Sequence, residues 1–274
     1  MASLFEEIGY WSEIKLDIVR EYASAYSSIL TKKFYHVYID AFSGSGKHIS
    51  KTTGDFVLGS PANALKVKPP FKEYYFIDID KDKTDELQKL RAYRNDIHIY
   101  EGDCNTILLD KIFPNIKYDD YQRGLCLLDP YGLDLNWEVT ATAGNMRCMD
   151  IFLNFPIQDM NRNVLWNNAQ KVNPAQADRL TKFWGNETWK TASYKNMPNL
   201  FGYDWPIKVS GQEIAKAFQE RLRKVAGFKY VPNPIPMRNS KGSVVYYLFF
   251  ASQKPVAGNI VNDIFDKYRN WGEQ

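Results

Sequence analysis

The chain has 274 residues, of which 45% are hydrophobic, 15% aromatic and 24% charged. That balance is globular and supports one large core. Its 35 basic and 32 acidic side chains are interspersed, which excludes a disordered tail or a strongly basic nucleic-acid coat.

Residues 12–30 place Ile14, Ile18, Tyr22, Ala25 and Ile29 at steps of three and four, which predicts an amphipathic helix capped by Ser12. The segment 34–40 is rich in β-formers and runs into the glycine turn Ser43–Gly46, with a long loop at 47–58 behind it. A helix start follows at 59–65, with Ser60 as cap and Pro61 in the first helical position. Strands at 74–79, 97–100, 123–129 and 148–154 then alternate with helices at 81–94, 104–112 and 135–146. Such alternation predicts an α/β fold, a parallel sheet with helices on both faces. The rhythm breaks at 157–207, which holds four of the seven tryptophans (Trp166, Trp184, Trp189 and Trp205) and reads as helices with irregular loops inserted after the fifth strand. It resumes with a helix at 211–226, strands at 228–236 and 243–251 joined by a short turn, and a closing helix at 257–271. Two strands so joined must be antiparallel. A single domain over residues 1–274 is expected.

Cys104, Cys126 and Cys148 are scattered, and His36, His48 and His98 form no paired spacing, so neither a disulfide scaffold nor a structural metal site is expected. The N-terminal stretch has neither the basic start nor the apolar run of a signal peptide. The longest apolar run, Val244–Ala251, is too short to span a bilayer as a helix, and a cytoplasmic location is expected.

Four turns at the ends of successive strands carry the chemistry. The first is Asp40-Ala-Phe42-Ser-Gly44-Ser-Gly46. A phosphate loop would need Gly where Ala41 stands and Ser or Thr where His48 stands; a dinucleotide fingerprint would need Gly in place of Ile49. What remains is D-x-F-x-G-x-G, the form found in S-adenosylmethionine sites. The second is Asp78-Ile79, where a carboxylate at the strand end can accept both ribose hydroxyls of a nucleoside, with Asp80 read as a helix cap. The third is Gly102-Asp103-Cys104-Asn105: Asp103 can accept an exocyclic adenine amine and the Cys104 N–H can meet a ring nitrogen, although either Asp103 or Asn105 also suits a helix cap. Cys104 has no basic neighbour in sequence and reads as a small buried residue rather than a nucleophile. The fourth is Asp129-Pro130-Tyr131-Gly132, in which Asp129 and the Pro130 carbonyl can accept hydrogen bonds from a target amine while Tyr131 stacks on its ring. Each turn has a plain structural alternative; their joint occurrence in this order points to a nucleoside-bearing methyl donor.

This series resembles that of class I S-adenosylmethionine-dependent methyltransferases. More narrowly, the chain resembles the three-Cys-motif partner protein family, in Trp11 with Ile14-Lys15-Leu16, Gly59-Ser-Pro61, the Asp129 box with Trp137, Asn154-Phe-Pro156 with Asp159 and Arg162, and Phe183-Trp-Gly185 with Trp189. The resemblance implies a seven-stranded sheet with its last strand antiparallel, S-adenosylmethionine as cofactor, and a separate cysteine-rich protein partner. The Asp129 box is similar to the [DN]PP[YF] box of amino-methyltransferases but has a single proline followed by Tyr-Gly. No Pro-Cys pair exists for cytosine-C5 chemistry.

The function expected is N-methylation of a nucleic-acid base, RNA or DNA. The aromatic insertion and the basic run Arg221–Lys224 fit that partner, although a solvated helix face explains the run equally simply. Methylation of a protein or small molecule with a partner, and a non-catalytic binding module, are the alternatives.

Overall fold

A computed structural model of the chain describes residues 6–92, 94–166, 172–198 and 204–269. The central sheet has seven strands: β2 (Tyr35–Asp40), β5 (Glu73–Asp78), β6 (Ile97–Glu101), β7 (Gln122–Leu128), β8 (Met149–Phe155), β11 (Ile235–Arg238) and β12 (Val244–Ala251). Their order is β11-β12-β8-β7-β2-β5-β6. The five strands from β2 to β8 pair in parallel, while β12 runs antiparallel to β8 and β11 antiparallel to β12. The sheet thus has seven strands with its last strand reversed, as the sequence resemblance implied. From β2 the chain moves outward to β5 and β6, then returns to lay β7 on the other side of β2. The reversal of direction therefore falls between β2 and β7, and a crevice opens at their C-terminal ends.

Burial on both faces explains why these strands read as apolar runs rather than alternating ones. One face packs on α1 (Tyr10–Leu30), α2 (Ser60–Leu65), α3 (Lys81–Arg91) and α10 (Pro255–Arg269), through Ile18, Tyr22, Leu87, Val261 and Phe265. The other packs on α4 (Cys104–Ile107), α5 (Trp137–Asn145), α7 (Pro174–Trp184), α8 (Trp189–Ser193) and α9 (Gly211–Lys224). There Phe155, Phe183, Trp184, Phe218 and Phe249 form one aromatic cluster with ring centroids 4.7–6.4 Å apart. Trp184 and Trp189 are thus core residues. Trp166, 40% exposed, is the outward one, and the side chain of Trp205 lies outside the described residues. No helix among the described residues is long and apolar enough to cross a membrane.

Several local expectations are corrected. The first helix begins at Tyr10 with Gly9, not Ser12, as its cap. Gly9 admits the Trp11 ring, which lies 2.4 Å from where a Cβ would sit. Gly59 rather than Ser60 caps α2, which moves Pro61 to the second helical position. After α4 the chain loosens into a π-helical turn, Leu108–Ile112, and a 3-10 turn at Phe113–Asn115, where Pro114 cannot donate to a helical ladder. The strand predicted at 228–236 begins only at Ile235 and runs on to Arg238, with Tyr230 forming an isolated bridge to Ser252. The insertion includes α6 (Ile157–Asn163) and a hairpin of β9 (Tyr194–Pro198) and β10 (Asp204–Lys208).

The segment read as a loop at 47–58 supplies β3 (Lys47–Ser50) and β4 (Phe56–Leu58), and these form a separate sheet with β1 (Glu6–Ile8). β1 runs parallel to β3, and the Ser50 hydroxyl donates to Glu13 of α1 at 2.7 Å. This small sheet ties the N-terminal segment across the open end of the crevice.

Candidate active site

A cavity of about 760 Å³ occupies the crevice. It is lined from β2 by Phe42 and Gly44, from β5 by Asp78 and Ile79, from β6 by Asp103 and Cys104, and from β7 by Asp129, Pro130 and Tyr131. The four sequence turns therefore meet in one place. A second cavity of about 700 Å³, between α1, α2 and α10, contains none of these residues.

Gly44 stands at φ +61°, a backbone region that favours glycine, and its N–H donates to Asp78 Oδ2 at 2.8 Å. The other Asp78 oxygen accepts the Asp80 N–H at 2.9 Å, and Asp80 in turn caps α3. Ile79 is 76% exposed beside them. Gly46 lies behind the cavity wall: its carbonyl accepts the Gly59 N–H at 2.9 Å, so it shapes the turn and does not line the space.

Asp40 is fully buried beneath the cavity rather than lining it. Its Oδ1 accepts the Phe42 N–H at 3.3 Å, and its Oδ2 has no hydrogen-bond partner. Burial pushes its carboxyl up to about 7, against the neighbouring Ser60 hydroxyl and with the Asp129 charge adding to the rise.

Asp103 is the cap of α4. Its carboxylate accepts the backbone N–H groups of Asn105 and Thr106 together with both of their side-chain donors. These hydrogen bonds outweigh desolvation and hold its pKa below the ordinary aspartate value. The capping alternative therefore accounts for its position, while its edge still borders the cavity. Cys104 is buried, and burial pushes its thiol up to about 12, which leaves it an inert wall residue.

Asp129 is engaged more heavily than its sequence context reveals. Lys15 of α1 donates to Oδ2, and the Asn154 amide of β8 donates to Oδ1 at 2.9 Å. Burial alone lowers a lysine's pKa, but the Asp129 charge and hydrogen bond, with help from Asp40, hold the Lys15 ammonium above the ordinary lysine range. Tyr131, two residues on, is 89% exposed at the mouth.

Sequence reasoning left Lys15 open and missed His48 and Tyr246. No local signal marks either of the latter; β3 and β12 bring them in. Burial, reinforced by Lys15, keeps the His48 imidazole below its ordinary pKa, and its Nδ1 has no partner. Asn154, Pro156 and Asp159, which sequence reading cited only for their resemblance to a family, and Arg162, whose contact with substrate it left open like that of Lys15, all line the cavity. The basic run at 221–224 does not. Arg221 stacks over Trp137 and Trp184 at 4.6 and 5.7 Å, while Arg223 and Lys224 pair with Glu220.

Seven carboxylates and three basic side chains line the space, a balance that disfavours a polyphosphate ligand and favours a cationic one. Unmet hydrogen-bonding capacity gathers there too: His48 Nδ1, Asn154 Oδ1 and Asp159 Oδ2 on the wall, and Asp40 Oδ2 beneath it, are buried without partners among the described residues. An S-adenosyl group, with a sulfonium, an ammonium and a nucleoside, fits this donor-seeking, acid-lined crevice in chemistry.

No family model and no curated protein matches the chain. Solved structures do. A Legionella pneumophila protein is 11% identical, aligned over 93% of this chain and 92% of its own, with a TM-score of 0.51. A candidate methyltransferase from Thermobifida fusca is 12% identical over 89% of this chain and 80% of its own, with a TM-score of 0.45. A candidate S-adenosylmethionine-dependent methyltransferase from Listeria monocytogenes is 12% identical over 83% and 97%, with a TM-score of 0.41. The first of these likenesses is one of fold. Together with the strand order, it gives the chain an α/β fold built on a seven-stranded mixed sheet flanked by helices.

Proposed function

We propose that the protein is an S-adenosylmethionine-dependent methyltransferase acting on an amine of a nucleic-acid base. The observation that carries the reading is the gathering of unpartnered buried polar atoms of His48, Asn154 and Asp159 on the wall of an acid-lined cavity at the reversal point of the sheet. An unmet buried acceptor costs about 1–3 kcal/mol, and a bound donor relieves it.

S-adenosylmethionine supplies an electrophilic methyl group carried on a sulfonium. In this reading Asp78 accepts the ribose hydroxyls, with Gly44 allowing close backbone approach, while Ile79 and the Cys104 N–H border the adenine. Asp129 and the Pro130 carbonyl accept hydrogen bonds from the target amine and draw its lone pair out of the ring, which makes the nitrogen a better nucleophile. Asp129 and the Pro130 carbonyl would hold the amine while the bound donor gives its methyl from sulfur to nitrogen, and the amine's displaced proton would leave for solvent. Tyr131 offers an open face for a planar base. Exposed Arg162 on the same cavity and partly exposed Trp166 four residues on favour a nucleic acid over a small aliphatic amine.

The test is calorimetric titration of S-adenosylhomocysteine into wild type and Asp78→Ala, followed by methyl transfer from labelled donor to RNA and DNA with wild type and Asp129→Ala. Binding lost in the first variant, and transfer lost in the second with binding kept, supports the reading. Unchanged turnover in Asp129→Ala sinks the catalytic assignment. The cysteine-rich partner and the three-Cys-motif family remain part of the proposal; co-purification with and without S-adenosylhomocysteine tests the partner.

A further inference from the structure

Lys15 sits on the buried face of α1 among Ile14, Leu16, Ile18 and Val19, with its side chain 9% exposed. Helical spacing alone calls for an apolar residue there. Replacing a buried ion pair by well-packed apolar side chains is often neutral or stabilising, so stability is a poor reason to keep an ammonium at this position. Its environment gives a better one. Asp129 lies after β7, Asp40 ends β2, Tyr246 of β12 places its ring centroid 5.7 Å from Nζ, and His48 of β3 lies close enough to feel the charge. One cation thus stands between two carboxylates, and it donates to the one at the cavity.

The second observation is Asn154. An ionised carboxylate only accepts hydrogen bonds, so the amide must turn Nδ2 toward Asp129, and Oδ1 is left buried without a partner. Asn154 is thereby held with one unmet acceptor, an arrangement without benefit unless the Asp129 geometry matters. A carboxylate offers about four lone-pair positions; Lys15 and Asn154 take one on each oxygen and leave the others open.

We propose that Lys15 is a positioning residue, which together with Asn154 holds the Asp129 carboxylate oriented so that its free lone pairs meet the target amine. The proposal rests on the methyltransferase reading above and adds a residue to it.

Two experiments on the full chain test it. In NMR of lysine-labelled protein, the Lys15 titration midpoint should fall by about two units in Asp129→Asn, because burial persists while the counter-charge is gone; an unchanged midpoint overturns the pairing. In kinetics with a mixed-sequence single-stranded oligonucleotide, Lys15→Met should lower kcat about tenfold while affinity for S-adenosylhomocysteine stays within about twofold. Lys15→Arg should fold and recover most of the rate. A Lys15→Met enzyme with kcat unchanged, or one that loses cofactor affinity instead, overturns the positioning role. Absence of transfer by the wild type overturns the methyltransferase reading, and this role with it.

Discussion

The Gly44 N–H donates to Asp78 Oδ2 across 34 residues, which joins the turn after β2 to the end of β5. This bond sets the width of the crevice at the point where a ribose is proposed to sit. In Asp78→Ala both the Gly44 and Asp80 amides lose their acceptor, and a hydrogen bond to a charged group is worth about 1.5–3 kcal/mol. The expected result is affinity for S-adenosylhomocysteine at least ~10-fold weaker by calorimetry, with Asp78→Asn intermediate. Equal affinity in all three proteins would remove Asp78 from the cofactor site.

Much of this architecture could be read from sequence because each parallel strand is a short apolar run closed by its own turn, and the turns carry the polar residues. What could not be read depends on distance along the chain or on very short elements. Lys15 and Asp129 are 114 residues apart, and nothing local to a lysine on an amphipathic helix marks its partner. The β1–β3–β4 sheet rests on strands of three and four residues beginning in Glu6-Glu7, too short for any period to show. Asp103 shows a different limit: the same residue type after a strand serves as helix cap and as ligand acceptor, and only the four donors around it distinguish the two.

The α5 helix packs against the end of α9 so closely that a Cβ on Gly144 would fall 1.9 Å from the Ala226 carbonyl oxygen and 2.8 Å from its carbon. Backbone cannot yield as a side chain does. Gly144→Ala should therefore destabilise by about 1–3 kcal/mol or more through overpacking, measured by denaturant unfolding. A midpoint equal to wild type would mean the two helices are farther apart in solution.

Asp40 offers a pH-dependent prediction. Its folded pKa, about 7, is raised above the ordinary aspartate value of 3.8, so the folded state holds the proton more tightly. The contribution to stability is full below about 4 and is lost as pH rises to about 7, a span worth up to ~4 kcal/mol. Asp150, raised to about 6 by burial, acts in the same sense, whereas His36 and His48, lowered chiefly by burial, cost stability as pH falls below their ordinary value of 6.5. Comparison of wild type with Asp40→Asn cancels those shared terms. The variant's stability relative to wild type should climb between pH 4 and 7 and then level off; a constant difference across that window would show that Asp40 is ionised throughout.

Tyr131 tests the substrate half of the reading. At 89% exposed it contributes almost nothing to the core, and substitutions at such positions usually change stability by no more than about 0.5 kcal/mol. A ring stacked on a base is worth about 1–3 kcal/mol. Tyr131→Ala should therefore melt with wild type and bind S-adenosylhomocysteine normally, yet lose about 5- to 150-fold in kcat/KM on an oligonucleotide. Tyr131→Phe, which keeps the ring and drops the hydroxyl, should retain most of the rate. If alanine is tolerated, the acceptor does not stack on this ring, and a protein or aliphatic amine becomes the better candidate. If phenylalanine fails as badly as alanine, the hydroxyl rather than the ring meets the substrate.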